Sequence, residues 1–257
     1  MKYTGQREIS LSEEELRRYN RQIIMPLIGI EGQKRLKDAC VFVAGLGGLG
    51  SISSMYLVAA GIGSLRIIDR DVVDTTNLNR QVIHWTDDMG KEKSVSALEK
   101  LKRLNPYCNI EAITGSIDDL ESSAFIADAS IIVDATDNLE TRRVLNRVSL
   151  EKSIPFIYGG VDGFSGMVTT FVPHETPCFD CLFPFDIKKK GAIGVVGPTP
   201  GIIASIQVME AIKLILGIEG TLKGRLLYFS GIDMLFREVK VEKNPECPVC
   251  SRYRAGL

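Results

Sequence analysis

The apolar run Cys40-Val-Phe-Val-Ala44 ends directly in the glycine-rich loop Gly45-Leu-Gly-Gly-Leu-Gly50. Few folds accommodate such a junction. Gly45, Gly47 and Gly50 permit a tight strand-to-helix turn in which backbone amides and the positive end of the following helix face a phosphate. The next apolar run, Leu65-Arg-Ile-Ile-Asp69, ends in a carboxylate placed to bind ribose hydroxyls. Asp71 is the alternative carboxylate. Taken alone, the loop could be a structural turn, but the strand before it and the acid after it favour a nucleotide.

The rest of the patterning extends this opening into an α/β chain. Ser12-x-x-Glu15 reads as a capping box that opens a charged helix to about Gln22, with Leu16 and Tyr19 on one side, ahead of the core. A second short helix is expected near Glu31–Asp38. Cys40–Ala44 is continuously apolar, as in a parallel strand covered on both faces. Helices over Ser51–Ala60, Glu92–Leu104 and Leu139–Leu150 alternate with strands over Leu65–Asp69, Ile110–Thr114, Ile131–Asp134 and Pro155–Tyr158. This alternation predicts a doubly wound, Rossmann-like, mostly parallel sheet.

From about Ser165 the pattern changes. Gly166–Val172, Arg225–Ser230 and a half-exposed Glu238–Glu242 read as an antiparallel C-terminal extension. Gly201–Ile218 is apolar but carries Gln207, Glu210 and Lys213, which predicts a buried or half-buried helix instead of a membrane span. His174–Thr199 reads as an irregular crossing loop. Its Lys188-Lys-Lys190 run is either a solvated face or a patch that steers an acidic partner. There is no internal repeat, so 1–257 reads as a single unit. It comprises an N-terminal helical segment (1–38), a nucleotide-binding core (39–160) and a C-terminal subregion (161–257).

With 31 basic and 32 acidic residues, the chain has no net field to attract nucleic acid or an anionic membrane. Met1–Arg21 lacks the apolar centre of a secretory signal, so a cytoplasmic location is expected. In a reducing compartment, Cys178-x-x-Cys181 and Cys247-x-x-Cys250 read as metal ligands before disulfides. Four thiolates make a closed tetrahedral site with no open position for catalysis. Neither pair sits where a strand feeds a helix N-terminus, which argues against a thioredoxin-like redox pair.

The tract from Asp69 to Gln81 carries three carboxylates, two asparagines, two arginines and a glutamine. Displacement at phosphorus needs donors that spread charge over leaving pyrophosphate, and Arg80 and Lys93 suit that role. The alternative for each is an ordinary surface cation. Asp137 follows the strand ending at Asp134, at the sheet edge where ligands collect, and could hold Mg2+. Its alternative is a helix N-cap.

Arg18-Tyr-Asn-Arg-Gln22, the glycine loop, Asn77-Leu-Asn-Arg-Gln81, Asp137-Asn138 and both CxxC pairs together resemble the ThiF/MoeB/HesA family over nearly the whole chain. This resemblance implies ATP- and Mg2+-dependent adenylation of the C-terminal glycine of a ubiquitin-fold sulfur carrier of the ThiS/MoaD type, by a homodimer. It implies a nucleotide site built from Gly45, Gly47, Gly48, Gly50, Asp69, Asp71, Asn77, Arg80, Gln81, Lys93, Asp137 and Asn138. Within that site Gly48 lies on the phosphates and Asp137 holds Mg2+. Arg21 is implied to reach the ATP site from the neighbouring subunit, giving Arg21, Arg80, Lys93 and Asp137 as the catalytic set. The four cysteines match the family's structural Zn2+, and 161–257 becomes the carrier-binding and zinc subregion.

Many family members also carry a cysteine shortly before the segment that reads Gly194-Val-Val-Gly-Pro198 here. This chain has Lys190 near that place. Cys40 is expected in the core, and nothing near Cys108 promises a lowered pKa. The implied chemistry therefore stops at the acyl-adenylate, which a separate sulfur donor protein or sulfide attacks. His84 and His174 read as structural, and Trp85 as packing. The main rival is an NAD-dependent oxidoreductase, which the loop and Asp69 fit equally well but Arg80, Lys93 and the cysteines do not. A non-catalytic scaffold and a relative acting on a peptide or a tRNA base are further alternatives.

Overall fold

A computed structural model describes residues 9–117, 123–185 and 194–253 of the chain. Its helices are α1 (Glu13–Arg18), α2 (Asn20–Ile23), α3 (Gly29–Asp38), α4 (Gly48–Ala60), α5 (Lys93–Leu104), α6 (Ser123–Ile126), α7 (Leu139–Lys152), α8 (Phe179–Leu182) and α9 (Pro198–Leu216). Its strands are β1 (Cys40–Ala44), β2 (Ser64–Asp69), β3 (Asn109–Thr114), β4 (Ile131–Asp134), β5 (Phe156–Asp162), β6 (Ser165–Phe171), β7 (Arg225–Ser230) and β8 (Leu235–Lys240).

The strands form one sheet in the order β3-β2-β1-β4-β5-β6-β7-β8. The first five run parallel, and β6 to β8 continue the sheet antiparallel. The expected mostly parallel sheet with an antiparallel extension is therefore present. Strand order reverses between β1 and β4, which opens a crevice at their carboxyl ends. Ala44 and Asp134 are in register, so the glycine loop and the turn after Asp134 emerge at the same sheet edge.

Alternate residues of β1 enter different layers, as the period of two demands. Val41 and Val43 join the cluster containing Leu57, Ala204 and Val208, under α4 and α9. Phe42 and Ala44 join Ile68, Leu145, Phe156 and Phe179, on the α7 side. Both faces are covered, which explains the uninterrupted apolar run. α9 is long and apolar enough by composition to cross a membrane, but half of it is buried inside the protein, where it packs on α4, β5 and β6.

Several expectations need correction. The N-terminal helix breaks at Tyr19, which leaves helical geometry with φ −94° and ψ 9°. Tyr19 is buried and accepts a hydrogen bond from Asn105 Nδ2, whereas Leu16 is exposed. The two do not share a side, and the segment is anchored in the core. β8 starts and ends earlier than Glu238–Glu242, and every one of its residues is exposed. The crossing loop contains one turn of helix, α8, and its final residues open α9 at Pro198. Lys188 to Lys190 lie outside the described residues. Cys40 opens β1 half-buried, not fully in the core.

The β1–α4 turn fixes where everything else begins. A Cβ on Gly50 would lie 1.9 Å from the Gly45 carbonyl oxygen, an impossible approach. Gly50→Ala is expected to lower the unfolding free energy by more than about 2 kcal/mol. Gly115→Ala, whose Cβ would meet nothing closer than Ile113 at 3.7 Å, should change it by less than about 0.5 kcal/mol. Urea denaturation of both variants checks the contrast.

Candidate nucleotide site and cysteine cluster

Gly45 adopts φ +93°, and a Cβ there would come within 2.8 Å of the Ala135 carbonyl oxygen. Only glycine lets the loop cross so close to the chain leaving β4. The loop is tied to β2 through Asp69, whose Oδ2 accepts from Leu46 N–H at 2.7 Å and whose Oδ1 accepts from Asp71 N–H at 2.8 Å. Burial pushes the Asp69 carboxyl up, and these amides and Lys93 pull it back. Each oxygen keeps a lone pair for further donors such as ribose hydroxyls.

Lys93 opens α5 and is only 4 % exposed, so it is not a surface cation. Its Nζ pairs with Asp71 Oδ2 at 2.9 Å, and its backbone N–H donates to Asp71 O at 3.0 Å. Asp71 is thus engaged by lysine, while Asp69 faces the loop. Arg80 is half-buried. Its Nη1 donates to Thr76 O at 2.7 Å and to Asn79 Oδ1 at 3.1 Å, and its Cγ lies 3.7 Å from where a Cβ on Gly48 would stand. Asn77 caps a 3-10 turn, Thr75–Asn77, through its Oδ1 and the Asp74 N–H. Gln81 is buried, its Nε2 is 3.8 Å from the Cβ position of Gly47, and its Oε1 has no hydrogen-bond partner.

Across the crevice, the N-cap of α7 is Asn138, whose Oδ1 accepts from Thr141 N–H at 2.8 Å. The capping role considered for Asp137 therefore belongs to its neighbour. Asp137 is exposed on the turn. Arg21 is not brought to this site by its own chain. The adjacent Gln22 donates to Ala60 O at the far end of α4, about 18 Å from the loop at 1.5 Å per residue. Arg21 is exposed there, without a hydrogen bond or ion pair among the described residues.

Two buried features beneath the loop were not read from sequence as parts of the site, although His84 was read as structural. Asp134, fully buried, accepts from Arg142 Nε at 2.9 Å, and Arg142 Nη2 reaches Thr136 O at 2.6 Å and Gly159 O at 3.0 Å. The guanidinium lies 4.9 Å from the Tyr158 ring centroid. Burial raises the Asp134 carboxyl against the pull of Arg142 and Thr136. In sequence, Arg142 resembles any helix cation. The only available signal was the carboxylate ending an apolar strand.

The second feature is His84, whose Nδ1 is 2.8 Å from Ser96 Oγ and whose Nε2 is 3.1 Å from Leu46 O. Burial holds its pKa down at about 4, with Lys100 and Lys93 adding to the effect. Trp85 is not core packing: its exposed ring carries Lys100 Nζ at 4.8 Å.

The residues present fit ATP with Mg2+. Amides and cations line a cradle that requires glycine, a buried amide oxygen lacks a partner, and Asp137 offers the single carboxylate typical of phosphate-bound Mg2+. The four CxxC sulfurs lie within 4.8 Å of one another, and three of the separations are 3.6 to 3.8 Å. A tetrahedron of sulfurs at 2.3 Å from Zn2+ has an edge of about 3.8 Å. The cluster could therefore hold zinc with little movement. It joins α8 to the 3-10 turn Cys250–Tyr253, against Leu150 of α7. Burial pushes the Cys178 thiol to about 12, and crowding by its neighbours contributes to that shift. Cys108 is likewise pushed to about 12 by burial, which suits no nucleophile.

Two measurements follow from this geometry. Purified protein should contain one zinc per chain, and chelation should lower Tm by more than about 5 °C. His84, with its folded value near 4 and an unfolded value near 6.5, contributes stability that is complete above pH 6.5 and lost as pH falls toward 4. Wild-type stability relative to His84→Gln should therefore fall with pH in that window, by up to about 1.4 kcal/mol per pH unit in urea titrations.

Comparison with known proteins gives the family. A family model described as the ThiF family matches residues 19–249. The "SAMP-activating enzyme E1" of Haloferax volcanii is 42% identical over 248 residues, covering 94% of this chain and 91% of its own. The "Sulfur carrier protein adenylyltransferase" of Thermus thermophilus is 39% identical, covering 93% and 92%. The solved structure of E. coli MccB with MccA-N7isoASN shares the fold at TM-score 0.82 and 24% identity, over 91% of this chain and 74% of that one. On its sequence, the chain belongs to the ThiF family.

Proposed function

We propose that this protein uses ATP to adenylate the C-terminal glycine of a ubiquitin-fold sulfur carrier protein ending in Gly-Gly. The carrier carboxylate attacks the α-phosphorus, the bond to the β-phosphate oxygen breaks, and pyrophosphate leaves. The observation that carries this reading is Lys93, buried against Asp71 and within electrostatic reach of Asp69, with Arg80 packed near Gly48. A hydride transfer has no use for cations held there, whereas departing pyrophosphate does. The names borne by the relatives point the same way.

In this reading Asp69 binds the ribose, and Gly45 to Gly50 and Asn77 line the phosphates. Asp137 holds Mg2+, which neutralises phosphate charge when bound. Gln81 and Asn138 complete the pocket, and Gln81 offers its unpartnered amide oxygen. Residues 39–160 bind the nucleotide. Residues 161–257 bind the carrier, against the exposed apolar side chains Ile232, Met234, Phe236 and Val239 around β8, and hold a structural Zn2+. Cys40 and Cys108 are unsuited to a covalent step, so a sulfur donor protein or sulfide attacks the mixed anhydride directly. The setting is the cytoplasm.

The active form is a homodimer. Arg21 lies at the wrong end of α4 to serve its own loop. The neighbouring Ile24, Met25, Leu27 and Ile30 are exposed and suited to cover by a second copy. Purified protein should catalyse ATP–pyrophosphate exchange only in the presence of a Gly-Gly-ending carrier. Alanine at Arg21, Arg80, Lys93 or Asp137 should reduce exchange about 10²-fold or more. Co-expressed Arg21→Ala and Arg80→Ala chains should regain roughly a quarter of the activity, because random pairing makes half of the dimers mixed and each mixed dimer has one complete site. No exchange with any such carrier, or no regain in the mixture, would refute the corresponding part.

A further inference from the structure

His84 is buried and is not needed for charge neutralisation, yet it touches the glycine loop directly. Its tautomer follows from its partners. A carbonyl oxygen only accepts, so Nε2 carries the proton donated to Leu46 O. Nδ1 then accepts from the Ser96 hydroxyl, whose oxygen in turn accepts from Lys100 Nζ at 2.9 Å. Lys100 is paired with Asp88, and Asp88 Oδ2 accepts from Trp85 N–H at 2.7 Å. The ring is thus fixed from both sides as a neutral Nε2–H donor.

Leu46 is clasped at both ends, with its N–H on Asp69 and its C=O on His84. In a planar trans peptide the C=O of one residue and the N–H of the next point in opposite directions. With the Leu46 carbonyl drawn toward His84, the Gly47 N–H is turned away from it. That N–H has no hydrogen-bond partner among the described residues, and Gly47 is the N-cap of α4. Gly47 has no side chain to hold the peptide, and besides His84 the Leu46 carbonyl accepts only a long bond from Ser51 Oγ at 3.4 Å, so without His84 the Leu46–Gly47 plane is loosely held. Ser96 lies one turn into α5, the helix that begins with Lys93. His84 therefore ties the loop to the first turn of the helix that carries that cation.

We propose that His84 is a positioning residue for the nucleotide: it sets the Leu46–Gly47 peptide plane so that the Gly47 N–H meets a phosphate oxygen. The inference rests on the reading of the loop as an ATP site. Binding of ATP with Mg2+ and of adenosine, measured calorimetrically for wild type, His84→Leu and His84→Gln, tests it. His84→Leu should weaken ATP about tenfold while leaving adenosine within about twofold, the loss expected of one hydrogen bond to a charged group. His84→Gln, which keeps a side-chain N–H, should recover most of the ATP affinity.

The wild-type protein supplies an independent readout. With only two histidines in the chain, long-range 1H–15N spectra of the imidazoles should show His84 as the Nε2–H tautomer. Should His84→Leu fail to fold, Ser96→Ala and the wild-type spectrum decide the matter. Unchanged ATP affinity in the folded Leu variant, equal loss for ATP and adenosine, or an Nδ1–H tautomer would overturn the role of His84 alone. Failure of the wild type to bind ATP would overturn the nucleotide reading as well.

Discussion

The site depends first on the close approach of Gly50 to the Gly45 carbonyl at the junction of β1 and α4. This approach forces α4 to start within the loop, at the sheet crevice. Asp69 and His84 then hold the two sides of Leu46, so the loop is shaped by hydrogen bonds from β2 and from the segment ahead of α5. A phosphate-binding surface formed this way needs little rearrangement when charge arrives, which is the condition under which fixed dipoles act strongly.

Charge around the crevice is organised by burial. Lys93 is removed from water but paired with Asp71, and Arg142 is removed from water with Asp134 and the Tyr158 face around it. Such pairs add little net stability, because desolvation offsets most of the attraction. Their value lies in direction. Arg142 bonds Thr136 and Gly159, and so stiffens the turn that presents Asp137 and Asn138. His84 performs the corresponding task on the opposite side, without a charge of its own.

The C-terminal half is held by different means. β6 to β8 extend the sheet beyond the helical layers, and β8 is exposed along its whole length. α9 connects this extension to the loop: its body packs on β5 and β6, and Pro200 near its start lies 3.1 Å from where a Cβ on Gly48 would stand. A carrier seated on the extension would thereby be placed with its tail near the nucleotide. The cysteine cluster lies elsewhere, where it joins α8 to the chain terminus, in keeping with a closed structural site.

The chain's local patterns determined much of this. The apolar run, the glycines and Asp69 specify a strand, a turn and a second strand, because backbone conformation at each depends on neighbours a few residues away. The alternation of periods predicted the parallel sheet, and the CxxC spacing predicted a shared metal site. Only the tertiary structure decided the break at Tyr19, the burial of Lys93, the pairing of Arg142 with Asp134 and the grip of His84 on Leu46. It also placed Arg21 at the far end of α4. Each of these depends on partners distant in sequence, and a lysine or histidine has the same local signature whether it meets water or a buried carboxylate. Burial and pairing are properties of the packed chain, so no window of the sequence could contain them.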